Sequence, residues 1–338
     1  MRILIRPRLP VVALLLLAPA IPELLTGSTP VSEIVYNPVG FAVGFPLDIA
    51  LYGAGALLIR EFAVAFRKGW ASILLLGAAY GIAEEGFEVH TFFAPVGTTV
   101  GALGSYGHLY GVNWLWALAL TIFHATYSIA LPILLTRLWF PSVKDERWFD
   151  GGSITLLAGL FLAEVVGFGS IVGHGPSPGA LAFFVTLVGV LVALAVWAPR
   201  YLLTPVKGPP RLGSITLSCL GAVEFTAYFF VLVVSGGRLI PAEIAALVLV
   251  LADGGALWVL LRYVGTWDLE RSEFQFAVGM LSVLFLWDFL IEFILVPGIL
   301  VVTMVFVYLL YRLDRTLRAR SAPSRIPSGA RGVAPPLS

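Results

Sequence analysis

The sequence predicts an all-α fold: a polytopic transmembrane helical bundle of about ten spans, with both termini in the cytoplasm. Three observations predict it. The chain is 59% hydrophobic and only 12% charged, whereas soluble domains run near a quarter charged. Apolar runs of about 20 residues, the length at which a helix crosses a bilayer, recur from one end to the other. Of the 21 Lys and Arg residues, 20 fall in every second connection between those runs, as expected when positive charge collects on the cytoplasmic side.

The spans read, in order, 10–26, 40–60, 70–92, 113–139, 153–172, 179–198, 214–235, 242–264, 274–294 and 297–313. Arg2, Arg6 and Arg8 precede the first. That span is short and holds Pro19 and Pro22. Its Arg-rich start, apolar residues 11–17 and Ala18-Pro19-Ala20 also fit a secretory signal, whose removal would leave the other spans' orientation unchanged. Arg60, Arg67 and Lys68 follow the second span, and Arg137, Lys144 and Arg147 the fourth. Arg200, Lys207 and Arg211 follow the sixth, and Arg262 and Arg271 the eighth. Six arginines lie within 312–331, after the tenth. The opposite connections hold only Arg238. The run 274–313 is divided at Pro297-Gly298, because proline cannot continue a helix cleanly. Residues 314–338 are rich in Arg, Pro, Ser and Gly and predict a disordered basic cytoplasmic tail. Residues 1–313 thus form a single multi-pass domain of a cell-membrane protein. The net charge of +1 excludes a nucleic-acid footprint, and the lone Cys219 can form no internal disulfide.

Ten acids lie inside the spans: Glu23, Asp48, Glu84, Glu85, Glu88, Glu164, Glu224, Asp253, Asp288 and Glu292. At about 2.5–3.5 kcal/mol each, exposing all of them to lipid would cost roughly 25–35 kcal/mol. They must face the bundle interior or a wet cavity. Most fall between mid-membrane and the outer surface, which places a polar pocket toward the outside.

The densest cluster is Glu84, Glu85 and Glu88, three and four residues apart on one broad helix face. Carboxyl groups that close must share protons, bind a cation or meet water. His124 lies near the middle of the fourth span, with Ser128 four residues on and on the same face. His90 extends the Glu cluster, Asp48 lies in the outer part of the second span, and Asp288 and Glu292 share a face of the ninth. Glu84, Glu85 and His124 are therefore the candidate catalytic residues, with Glu88, His90, Ser128, Asp48, Asp288 and Glu292 as supporting polar groups. Glu84 or Glu85 with Glu88 and His124 could hold a single divalent metal. No His-Glu-x-x-His or Cys-x-x-Cys motif specifies one. The loop 95–112, with five glycines among Tyr106, His108 and Tyr110, could form a lid over the pocket.

Glu84-Glu85 on one span and Phe123-His124 on the next resemble the first two motifs of the CPBP membrane-protein family, which includes CAAX-type prenyl-protein proteases and bacteriocin-processing or immunity proteins. The resemblance implies that Glu85 or Glu84 activates water and that His124 stabilises the developing oxyanion. The chain has Val89 where the family's first motif has Arg, and Leu120 four residues before His124 where the second has Phe. It contains no His-x-x-x-Asn or His-x-x-x-Asp. The chain also resembles uncharacterised multi-pass prokaryotic membrane proteins.

Three functions fit these residues. One is an intramembrane hydrolase acting on a membrane-embedded peptide. Another is a proton- or cation-coupled transporter of a small solute, its acids serving as the coupling groups. The third is a non-enzymatic membrane assembly or partner protein. Each has the lipid bilayer as its surroundings.

Overall fold

The computed structural model describes residues 8–94, 106–236, 239–293 and 295–321. Arg2, Arg6, Arg238, the greater part of the proposed lid (95–105) and tail residues 322–338 lie outside the described residues. The chain folds as α1 (Arg8–Pro19, continued by a π-helical turn at Ala20–Leu24), α2 (Pro38–Ala65), α3 (Trp70–Ile82, continued by a π turn at Ala83–Glu88), α4 (Trp114–Trp139), α5 (Gly151–Gly169), α6 (Pro178–Trp197), α7 (Ser214–Gly236), α8 (Ala242–Tyr263), α9 (Leu269–Ile291) and α10 (Ile299–Ser321). A hairpin of two short strands, β1 (His108–Leu109) and β2 (Val112–Asn113), precedes α4.

Local chemistry sets several of the starts. Pro38 opens α2 while the Asn37 side chain accepts from Gly40 N at 3.1 Å. Asp150 caps α5 through Ser153 N at 2.7 Å, and Ser177 caps α6 through Ala180 N at 3.2 Å. These are the residue types that satisfy the unpaired amides of a first turn. Between α9 and α10 the chain turns at Gly298, whose φ of +92° suits glycine.

Seven helices, α2 and α4 through α9, are long and apolar enough to cross a membrane. Among the described residues the other three fall short of that test for visible reasons. The apolar part of α1 spans only Leu9–Leu24. α3 ends in three glutamates, and the last turns of α10 carry Arg312, Asp314, Arg315, Arg318 and Arg320. α1 is nonetheless packed inside the bundle, with Leu14, Ala18 and Ile21 fully buried. α10 runs beyond the expected boundary at 313 because Leu313 and Leu317 are buried in the core. An Asp314–Arg318 pair at 2.7 Å and a hydrogen bond from Arg320 to the Leu138 carbonyl at 2.9 Å hold its last turns.

α7 and α9 form the most extensively packed pair. A Cβ on Gly279 would overlap the Ser218 carbonyl, and one on Gly221 the Phe276 carbonyl, so the two backbones meet where neither has a side chain. Gly279→Val is expected to destabilise the bundle by about 1–3 kcal/mol, the usual cost of overpacking. Unfolding in detergent would show it; an unchanged midpoint would contradict this reading of the contact. α5 and α6 bury little of their apolar surface, as suits helices facing lipid.

A charged tie secures the connection after α4. Arg60 and Glu61, both buried on α2, form an ion pair. The Arg60 guanidinium lies 3.6 Å from the Trp148 ring centroid and donates to the Val143 and Lys144 carbonyls at 3.0 Å. Glu61 accepts from Trp148 N at 3.1 Å.

Candidate functional site

Among the described residues, four helices each carry a π-helical segment: Ala20–Leu24, Ile49–Gly53, Ala83–Glu88 and His124–Ala130. A π turn inserts a residue, widens the helix and turns the following side chains to a new direction; such turns recur at functional sites. The four segments bring Glu23, Tyr52, Glu84, Glu85, His124 and Ser128 to one place between α1, α2, α3 and α4.

His124 stands at the centre, 2% exposed. Its Nε2 lies 3.0 Å from Glu85 Oε1, and its Nδ1 lies 3.1 Å from Glu84 Oε2 and 2.9 Å from Ser128 Oγ. Gly81 lets the ring sit against α3: a Cβ there would approach the His124 Cβ to 2.8 Å.

Hydroxyl groups extend the cluster both ways. Tyr52 Oη lies 2.6 Å from Glu23 Oε1 and also contacts Glu84 Oε1. A phenol has one proton to donate, so one of these two carboxyl groups must itself be a donor. Thr29 Oγ1 lies 2.8 Å from Glu23 Oε2 and 3.4 Å from Asp48 Oδ2. On the other side Thr91 Oγ1 bonds Glu85 and accepts from Trp116 Nε1 at 3.0 Å. The result is one chain of polar contacts, Asp48, Thr29, Glu23, Tyr52, Glu84, His124, Glu85, Thr91 and Trp116, hydrogen-bonded throughout except between Glu84 and His124, which approach to 3.1 Å. Asp48 and Thr29 are partly exposed at one end, while Ser128 is fully buried at the deepest point.

The candidates from sequence separate into groups. Glu84, Glu85, His124 and Ser128 meet directly, and Asp48 joins through Thr29. Glu88 is buried, but among the described residues its Oε2 has no hydrogen-bond partner. His90 is turned away. Its backbone is left-handed at φ +57°, and its Nδ1 meets the His174 carbonyl at 2.5 Å. Asp288 and Glu292 do not belong to this cluster, which corrects the expectation that they support it. Asp288 accepts from Thr303 of α10 at 2.5 Å. Glu292 accepts from Gly298 N and Leu300 N at 2.9 Å, capping the start of α10. Glu292 is the C-cap of α9 and its N–H bonds the Asp288 carbonyl at 2.9 Å, so the helical spacing holds while the two carboxyl groups take different partners.

The metal-ligand set also changes. Ligand atoms of Glu84, Glu85 and His124 lie within 4.8 Å of one another; Glu88 is not part of that group. Two carboxylates and an imidazole suit Zn²⁺ or Mn²⁺.

Sequence reasoning missed Tyr52, Thr29 and Thr91 and left Glu23 outside the site. The usable signal was a tyrosine in an apolar run near intramembrane acids, since a buried phenol needs a partner.

Two comparisons, with curated proteins and with solved structures, found no match. A family model described as an uncharacterized membrane protein family matches residues 12–319. That match spans α1 through nearly all of α10, so the chain is an integral membrane protein and belongs to this uncharacterised membrane protein family.

Proposed function

We propose that the chain is a proton-coupled carrier of the cell membrane, with Glu84, His124 and Glu85 as the groups that bind and pass the proton. The observation that carries this reading is the imidazole held between two carboxyl groups, within a chain of acids bridged by single-proton hydroxyls. Such a chain moves protons by exchanging which partner donates, with little displacement of heavy atoms. Intramembrane acids without basic partners are typical of proton relays. The chain reaches only one side of the bundle. Below Ser128 the packing is apolar, with Ile129, Leu131 and Ile133 buried. A path open to one side suits a carrier that alternates between states better than a continuous channel. With the ten-span threading and cytoplasmic termini that the sequence predicts, the partly exposed end lies outside.

The test is reconstitution into vesicles enclosing a pH-sensitive dye. Wild-type protein is expected to support solute-dependent proton entry, and Glu85→Gln, which keeps the shape and hydrogen-bonding capacity but not the titrating carboxyl, is expected to abolish it. Equal proton entry by both proteins would refute the proposal.

A second reading rests on the close approach of Glu84, Glu85 and His124 and on the CPBP resemblance. A divalent ion held by these three side chains would act as a Lewis acid toward a membrane-embedded peptide. Peptide cleavage that a chelator stops and Zn²⁺ or Mn²⁺ restores, with no proton entry, would favour it.

A further inference from the structure

A cavity of about 350 Å³ lies on another face of α4, between α3, α4, α7, α8 and α9. Its walls are apolar, formed by side chains such as Ala125, Leu134, Leu260, Phe276 and Met280. It begins at the level of Trp70 and Leu269, the first residues of α3 and α9. It extends to Glu224 and Asp253, near the middles of α7 and α8. Both carboxyl groups line the cavity, and Tyr127 donates to Glu224 Oε2 at 2.7 Å. Among the described residues, the ionisable ones lining the cavity are Glu224, Asp253 and Glu273, and none of them is Lys or Arg.

We propose that this cavity is a binding site for an aliphatic amine, with the ammonium on Glu224 and Asp253 and the chain lying along α8 toward Trp70. Two carboxyl groups facing one apolar cavity must hold a proton between them or bind a cation. An ammonium can take that proton's place, charge for charge, and donate to both while Tyr127 keeps its bond to Glu224. The proton leaves to solvent and no covalent bond changes. A neutral lipid chain would fill the apolar volume but has no use for two acids at mid-membrane, which are costly there unless paired. The volume lies in the range of small-molecule sites, which join apolar walls to a few convergent polar groups. This inference is independent of the proton-carrier reading, because Glu224 and Asp253 are outside the His124 chain.

The test uses the full chain in phosphatidylcholine nanodiscs, with a diazirine-bearing dodecylamine and the matched dodecanol as photolabels and peptide mapping as the readout. The amine is expected to label segments 121–134 and 254–261 in competition with unlabelled dodecylamine, and the alcohol is not expected to concentrate there. Asp253→Asn should cut amine labelling at least about tenfold, as loss of one partner in a desolvated charge pair does. Leu260→Trp, which fills the cavity and leaves both acids in place, should cut it as well and serves if the first variant does not fold. Equal labelling by amine and alcohol would mean that lipid chains fill the cavity and would overturn the proposal. Amine labelling undiminished in a folded variant would also overturn it.

Discussion

Replacing His124 with glutamine is expected to lower vesicle proton entry by about a hundredfold or more, the scale on which a positioned proton-transfer group contributes. Glutamine can still hydrogen-bond Glu84 or Glu85, but it cannot take a proton on one side and release one on the other. The neutral imidazole can, since its two nitrogens face different carboxyl groups at 3.1 Å and 3.0 Å. A purely structural role predicts the reverse pattern, with near-normal activity for the glutamine variant because bonding and volume are largely kept. His124→Gly provides a finer check. It opens space between Gly81 and Ser128, and added imidazole is expected to restore part of the flux. Normal flux in His124→Gln protein would remove this histidine from the proton path.

Glu61→Ala is expected to cost about 3–5 kcal/mol of stability, the usual penalty for stripping one partner from a buried ion pair. The loss has two parts. Arg60 would stay buried with its charge faced by the Val143 and Lys144 carbonyls and the Trp148 ring, without its paired carboxylate. Trp148 N would lose its acceptor as well. The connection 140–150 would then detach from α2. Replacing both residues by methionine should recover much of the loss, because it leaves no uncompensated charge behind. Reversible unfolding in mixed micelles measures both variants. A single-variant loss below about 1 kcal/mol would place the pair in the weak, solvent-screened class.

The helices were legible because each apolar run is long, and a helix satisfies its own backbone polar groups in lipid. Caps at Asn37, Asp150 and Ser177 and the break at Pro297-Gly298 are short-range signals that a sequence carries openly. Glu84, Glu85 and His124 could be picked out because charge is expensive in an apolar span. Their partners were less visible. Tyr52 and Thr29 read as ordinary residues, and regular helical spacing set Glu88 beside Glu84 as an equal. The π turn at Ala83–Glu88 breaks that spacing, so Glu84 and Glu85 meet His124 while Glu88 stays outside that group. Asp288 and Glu292 keep their helical spacing, but their carboxyl groups bond Thr303 and the first amides of α10. Arg60 counted in the sequence as one more positive charge beside the membrane; in the fold it is a buried clamp, 3% exposed.

What the sequence determined by itself was the class of protein, the helices and the need to shelter ten acids from lipid, because hydropathy and charge act residue by residue along the chain. What only the tertiary structure decided was which acids share a chamber and which merely cap or pin a neighbouring helix. That outcome depends on helix phase, and four π-helical turns reset the phase where the side chains of α1, α2, α3 and α4 meet.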